Sequence, residues 1–213
     1  MILYSGLYDD FYPFDIFWPE AKKITATIKA DLDQGPGWLI IWGGGDIHPS
    51  LYGHPNIATY SHAKPSQRDI IEWELMNEAV KKGIGIIGVC RGAQMGCALA
   101  GGYLIQHVTG HAGSSHYVQT TDGKTLLTTS LHHQMMYPGP DVEHELIGWS
   151  DPPRSSVYEV AVKTEIICEP ELIWFPKIKC LAIQGHPEMQ RADCLFNEYI
   201  HYLMNKYILC LQK

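Results

Sequence analysis

The six cysteines of this 213-residue chain include no C-x-x-C pair. Scattered at 90, 97, 168, 180, 194 and 210, they offer neither the ligand spacing of a zinc module nor the density of a disulfide scaffold, and reduced thiols fit best. Positive charge is also scarce. Sixteen Lys and Arg stand against 23 Asp and Glu, the net charge is −7, and no basic run or Lys/Arg-rich amphipathic face occurs. This argues against a general binder of nucleic acid or of a membrane surface, and points to a small molecule or a protein as partner. No apolar run approaches the length of a membrane span, and the first ten residues carry neither a basic stretch nor a sustained apolar core, so a cytoplasmic protein is expected. Internal repeats and low-complexity segments are absent too. Apolar residues, by contrast, make up 46% of the chain and charged ones 18%, enough for one substantial core, and the expected organisation is a single α/β domain over residues 1–213.

The stretch that organises the chain is Ile84 to Gln94, Ile-Gly-Ile-Ile-Gly-Val-Cys-Arg-Gly-Ala-Gln. Its apolar run to Val89 predicts a buried strand, while Ala93, Met95, Ala98 and Leu99 continue at helical spacing. A strand, a sharp turn and a helix form the layout of a nucleophile elbow, with Gly88 and Gly92 as the small neighbours that let the backbone close up. A helix beginning after Cys90 directs its free N–H groups and positive dipole end at the sulfur, which favours the reactive thiolate. Cys90 is therefore a candidate nucleophile, although Gly-x-Cys-x-Gly alone also suits a small core residue at a strand end.

Elsewhere the elements read as follows. Met1 to Ser5 suits a first strand and Tyr8 to Trp18 an ordered loop; from Pro19 to Ile28, helix and strand signals compete. Trp38 to Trp42 predicts a buried strand that stops at Gly43-Gly-Gly-Asp46, a loop able to offer N–H groups to an oxyanion or simply to turn. Residues 49–65 read as loop. Ser66 caps a helix with Ile70, Ile71, Leu75, Met76 and Ala79 on its apolar face, Arg68, Asp69, Glu72 and Glu74 on its wet side, and Lys81-Lys-Gly83 at its end. Strand, loop, helix, strand from Trp38 to Val89 implies a parallel sheet with a right-handed crossover. A hairpin is expected about Asp122-Gly123, with short strands at 142–149, 157–167, 172–176 and 179–184, and an amphipathic helix follows Ala192.

Leu181 to Gln184 predicts a strand that ends at Gly185-His-Pro-Glu188, where His186 and Glu188 can face one another across the proline. A carboxylate on one imidazole nitrogen fixes the tautomer and leaves the other to take a thiol proton, the Cys-His-acid logic of acyl transfer. Alone, His-Pro-Glu is more often a turn with a solvated Glu. The glycine loop, the elbow and His-Pro-Glu each follow a predicted strand directly, and parallel strand ends can converge on one sheet edge.

Gly-Val-Cys-Arg-Gly-Ala-Gln and His-Pro-Glu resemble the catalytic motifs of class I glutamine amidotransferases. Trp42-Gly-Gly-Gly-Asp-Ile-His-Pro-Ser-Leu-Tyr-Gly53, Arg68-Asp-x-x-Glu72, Gly101-Gly-Tyr-Leu-Ile-Gln106, His116-Tyr-Val118 and His132-His-Gln134 resemble their γ-glutamyl hydrolase branch, which includes γ-glutamyl-γ-aminobutyrate hydrolase. The likeness runs from about residue 38 to 190 in the right order. It implies a flavodoxin-like α/β fold: a mostly parallel central sheet, helices on both faces and an antiparallel extension. It also implies a cysteine hydrolase that cleaves a γ-glutamyl amide, glutamine or a γ-glutamyl-amine, through a thioester at Cys90, with His186 as base and then acid and Glu188 as its orienter. Gly44 and Arg91 would supply oxyanion N–H groups, and Gly45, Gln94 and His133 would lie at the γ-glutamyl group. No cofactor is implied. The alternative within this family is a glutaminase subunit delivering ammonia to a separate synthase; a non-catalytic binding protein on the same fold conflicts with the intact trio. A homodimer remains compatible.

This chain also departs from that pattern. It is shorter at the N-terminal end, which points to a missing or altered strand; Gly185 replaces a large residue and is expected to open the site beside His186; and His107 stands where an acidic residue is common. His107, His111 and His116 lie close together, but His111 and His116 fall in a glycine-serine loop without an acidic ligand at suitable spacing, so no metal is expected. Cys97 suits the core, and Asp46 and Glu72 suit either substrate contact or a capping or surface role.

Overall fold

The computed structural model describes residues 2–5, 21–24, 32 and 37–208. In chain order the elements are β1 (Ile2–Ser5), β2 (Ala21–Ile24), β3 (Trp38–Ile41), α1 (Gln67–Lys81), β4 (Gly85–Val89), α2 (Arg91–Leu99), β5 (Tyr103–Val108), β6 (Ala112–Thr120), β7 (Thr125–Leu131), β8 (Met135–Tyr137), β9 (Glu145–Ser150), β10 (Tyr158–Val160), β11 (Pro170–Phe175), β12 (Cys180–Ile183) and α3 (Leu195–Tyr207), with short 3-10 turns at Pro49–Tyr52, Pro176–Ile178 and Pro187–Met189. Nine strands form one sheet in the order β2-β1-β3-β4-β12-β11-β9-β6-β7, parallel from β2 to β12 and antiparallel from there on. A second sheet has the order β10-β5-β8.

Strands β3, β4 and β12 are buried at every residue, as near-continuous apolar runs in a doubly covered parallel sheet must be. Alternation sends Trp38, Ile40 and Trp42 to one face, against Phe196, Tyr199, Ile200 and Leu203 of α3. Leu39 and Ile41 go to the other, against Leu75 and Met76 of α1 and Ala93 and Met95 of α2. Helices therefore cover both faces of an α/β sheet with an antiparallel extension. No helix among the described residues is long and apolar enough to cross a membrane.

Helix α1 starts with the expected Ser66, whose side chain accepts from the Asp69 N–H while the Asp69 carboxylate accepts from the Ser66 N–H. Its expected wet side is corrected by the structure: Asp69 and Glu72 are buried and Ile70 is 43% exposed. The two acids turn inward because a buried cation, Arg91, awaits them on α2. Between Pro19 and Ile28, the described Ala21–Ile24 is a strand parallel to β1, and the rest of that stretch lies outside the described residues. The hairpin turns at Asp122-Gly123, with Gly123 at φ 82°. Of the strand expected over 157–167, only Tyr158–Val160 forms.

Register then places the site. Ile41 pairs with Gly88, and Ile183 with Val89, so β3, β4 and β12 end level and the residues following each meet at one edge.

Candidate active site

The turn from β4 to α2 puts Cys90 at φ 49°, ψ −103°, a conformation that L-residues rarely adopt and that the surrounding packing must impose. Its N–H donates to the Ile183 carbonyl of β12 at 2.7 Å. Close backbone approach explains the flanking glycines: a Cβ on Gly92 would lie 2.0 Å from the Ile41 carbonyl oxygen, and one on Gly88 2.4 Å from that of Gly92. The side chain thus projects from the sheet edge at the N-terminal end of α2, which favours negative charge on it.

His186, one turn beyond β12, lies with its Nδ1 2.7 Å from Glu188 Oε1. The carboxylate only accepts, so Nδ1 carries the proton in that bond and Nε2 is left for chemistry. Burial pushes the imidazole pKa down, but the charge of Cys90 and hydrogen bonds to Cys90 and Glu188 outweigh it and push the value up to about 11. All three side chains are buried. Thr129 Oγ1 of β7 donates to the His186 carbonyl at 3.0 Å, and Gln184 Nε2 lies 4.0 Å from the Cys90 sulfur.

The glycine loop closes over this pair. A Cβ on Gly43 would lie 2.5 Å from His186 Cε1 and 3.4 Å from Cys90 Cβ. Arg68 of α1 donates from Nη2 to the Gly43 carbonyl at 2.9 Å and to that of Trp42 at 3.3 Å. Across a trans peptide the carbonyl and the next N–H point to opposite sides, so the N–H of Gly44, at φ 145°, faces away from Arg68. Arg68 Nε also donates to Glu72 Oε1 at 2.9 Å; Glu72 Oε2 accepts from Arg91 Nη1, and Asp69 Oδ1 accepts from Arg91 Nη2 at 2.5 Å. Burial pushes the Arg68 pKa down to about 10, against the pull of Glu72, which leaves it a cation near neutrality. The loop before Cys90 and the residue after it are therefore tied to one buried ion network.

The expected substrate contacts fall unevenly. Gly44 and Gly45 are exposed, with open space around a Cβ at Gly45. Gln94 is buried, and its Nε2 donates to the Gln134 carbonyl at 2.6 Å. His133 turns to Asp46, with Nε2 2.9 Å from Oδ1, and its ring stacks on Tyr60 at 4.1 Å and meets His107 Nδ1 at 3.2 Å. A groove of about 480 Å³ between β7 and α3, lined by Lys124, Leu195, Tyr199 and Tyr202, shares no residue with the Cys90 centre.

Two expectations need correcting. Gly185 opens nothing, because a Cβ there would lie 2.2 Å from Thr128 Oγ1: strand β7 occupies the space a large side chain would use. His116 lies on β6 and His111 directly before it, and both meet acids that chain spacing does not suggest, Glu171 and Glu169. Gln184, Thr129 and the hold of Arg68 on the loop were not singled out from sequence. Only Arg68 and Glu72 left a trace there, at the i, i+4 spacing of an ion pair.

A provisionally named glutamine amidotransferase of Mycobacterium tuberculosis is 37% identical over 78 residues, 35% of this chain and 25% of that protein. The protein NtpR of Enterococcus hirae is 41% identical over 83 residues, 39% of this chain and 34% of that protein. The chain thus spans about a quarter to a third of the length of these curated relatives. Among solved structures, a provisionally named GMP synthase subunit from Thermoplasma acidophilum matches with a TM-score of 0.67 at 12% identity, covering 100% of this chain and 96% of that one. A glutamine amidotransferase from Thermotoga maritima matches at 0.56 and 17% identity, covering 96% and 84%. At these identities the likeness is one of fold, the class I glutamine amidotransferase fold. The Peptidase C26 family model matches residues 14–162, which include Cys90 and stop short of His186 and Glu188, and the chain belongs to that family.

Proposed function

We propose that this chain is a cysteine hydrolase that cleaves the side-chain amide of a γ-glutamyl compound, glutamine or a γ-glutamyl-amine. The observation that carries the reading is Cys90 on a strained elbow, beside an imidazole whose Nδ1 is held by Glu188, with both side chains against Gly43. A protonated His186 beside the sulfur suits a thiolate–imidazolium pair. The sulfur attacks the γ-carbonyl carbon, and the N–H groups of Gly44 and Arg91 take up the charge on the oxygen. His186 gives its proton to the leaving amine, and a γ-glutamyl thioester remains on Cys90. Water loses a proton to His186, attacks the thioester and releases glutamate. Glu188 keeps the ring in the tautomer and orientation both halves need. None of these steps calls for a cofactor.

The exposed Gly44-Gly45 backbone favours a second reading. Glycines can flip, and a glutaminase subunit could complete its oxyanion hole only when an ammonia-accepting synthase docks; the Thermoplasma acidophilum neighbour carries the name of a synthase component. Glutamate release from glutamine and a panel of γ-glutamyl amines, measured with the purified chain alone, separates the two. We expect cleavage, lowered by on the order of 10⁴-fold or more in Cys90→Ala and His186→Ala, with partial activity in Glu188→Gln. Cleavage undiminished in Cys90→Ala overturns the hydrolase assignment, and ammonia release that waits for a second protein supports the glutaminase.

A further inference from the structure

Strands β6 and β11, which flank β9 in the sheet, enclose buried polar groups that the proposed reaction does not use. One donor atom each from His111, His116 and Glu171 lies within 4.8 Å of the others. His116 Nε2 is 2.9 Å from Glu171 Oε1, and His111 Nδ1 is 3.7 Å from the same oxygen.

Counting protons shows what this cluster lacks. Glu169 accepts from the Arg154 N–H at 2.8 Å, the Ser155 N–H at 2.7 Å and the Tyr158 hydroxyl at 2.7 Å. An oxygen pair taking those donors acts as acceptor, so His111 Nε2, 3.0 Å from Glu169 Oε2, carries the His111 proton. In a neutral ring Nδ1 is then a bare lone pair, and it faces Glu171 and, at 3.2 Å, Ser130 Oγ. Ser130 has no proton to give, since its hydroxyl donates to the His111 carbonyl at 2.6 Å. Close by, the His132 ring lies 4.7 Å from that of His111; its Nδ1 donates to the Gln134 carbonyl, which makes its Nε2 another lone pair. That nitrogen, His116 Nδ1 and Glu171 Oε2 have no hydrogen-bond partner. Electron-pair donors outnumber protons in a space closed to solvent, and a cation would balance them.

We propose that His111 Nδ1, His116 Nε2 and both oxygens of the Glu171 carboxylate form a binding site for a divalent transition metal of the zinc class, sharing no ligand with the Cys90 centre. Two imidazoles and a carboxylate are a donor set zinc accepts. Glu169 on the far nitrogen of His111 supplies the outer carboxylate that fixes a ligating imidazole's tautomer. Donors about 2.0–2.1 Å from one ion lie no more than roughly 4.2 Å apart, so the cluster closes on a metal with side-chain shifts of about 1 Å. The metal replaces the proton on His116 Nε2, and that proton leaves on binding.

The test measures zinc by plasma mass spectrometry on the full chain carrying Cys90→Ala, which removes the reactive thiol as a competing ligand, after desalting and after zinc titration. One zinc per chain is expected, with a melting temperature that falls on chelation and recovers with zinc, and a cobalt(II) form with visible bands but no sulfur-to-cobalt charge-transfer band. Glu169→Gln weakens retention by about 10–100-fold, and Glu171→Gln by at least that. A folded chain that takes up no zinc and whose melting temperature ignores it overturns the proposal, with a proton holding the cluster instead. So does zinc retained unchanged in Glu171→Gln, or lost through Cys90→Ala alone. The titration of the unaltered cluster decides the matter even if a ligand variant fails to fold.

Discussion

Arg68 donates to the carbonyl of Gly43 at 2.9 Å, so a side chain of helix α1 sets the orientation of the peptide that lies over Cys90. The same guanidinium pairs with Glu72, which also accepts from Arg91, the residue after Cys90. Both backbone N–H groups proposed for the oxyanion thus answer to one buried network, in which Arg68 is a positioning residue. Arg68→Lys keeps the charge but loses the planar fork that reaches two partners at once. We expect kcat to fall by on the order of 100-fold, with the melting temperature close to that of the parent. Wild-type kcat in a folded Arg68→Lys protein would remove the positioning role.

Gly43 tests how tightly the loop covers the pair. A methyl group there would sit 2.5 Å from His186 Cε1, so Gly43→Ala must displace either the loop or the ring. The expected cost is about 1–3 kcal/mol of stability and roughly 100-fold in rate. Gly45→Ala, with nothing within 4 Å of the new carbon, should leave the melting temperature unchanged. Equal melting temperatures for both variants would mean that the loop does not bear on His186.

The thiols should separate by reactivity. Burial pushes Cys97 far above its ordinary range and Cys180 up to about 12, so both stay protonated and inert at neutral pH. A glutamine-like chloroketone is expected to label Cys90 first, read by mass spectrometry of the modified peptide. Labelling of Cys97 or Cys194 ahead of Cys90 would refute the nucleophile assignment.

The pH dependence follows from His186. Burial pulls the ring's pKa down, and Cys90 and Glu188 push it up to about 11, above the ordinary value of 6.5. The folded state binds this proton more tightly than the unfolded state, so the contribution to stability is complete below about pH 6.5 and disappears as pH rises through about 11. Because Cys90 is the largest raising influence, Cys90→Ala should make His186 titrate at lower pH, followed by NMR of ring-labelled histidine. An unchanged or higher titration point in that variant would show that the sulfur does not act on the ring.

What could be read from the chain alone was whatever depends on near neighbours. The run Ile84 to Val89, the glycines around Cys90 and the helical spacing after it are contiguous, so strand, elbow and helix were legible together, as was the Ser66 cap. His186 and Glu188 are two residues apart, and their contact needed only the local geometry around Pro187. Where a partner lies far along the chain, single-sequence reasoning missed it. Asp69 and Glu72 look like a wet helix face until α2 brings in Arg91, 22 and 19 residues away. Gly185 looks like an opening until β7 places Thr128 against it. His116 and Glu171 are 55 residues apart, and their strands are separated by β9. Backbone propensity and periodicity act over a few residues, whereas the pairing of buried charges and the filling of space are decided only when sheet order brings distant strands together, because the cost of burying an unpaired polar group has no local signature.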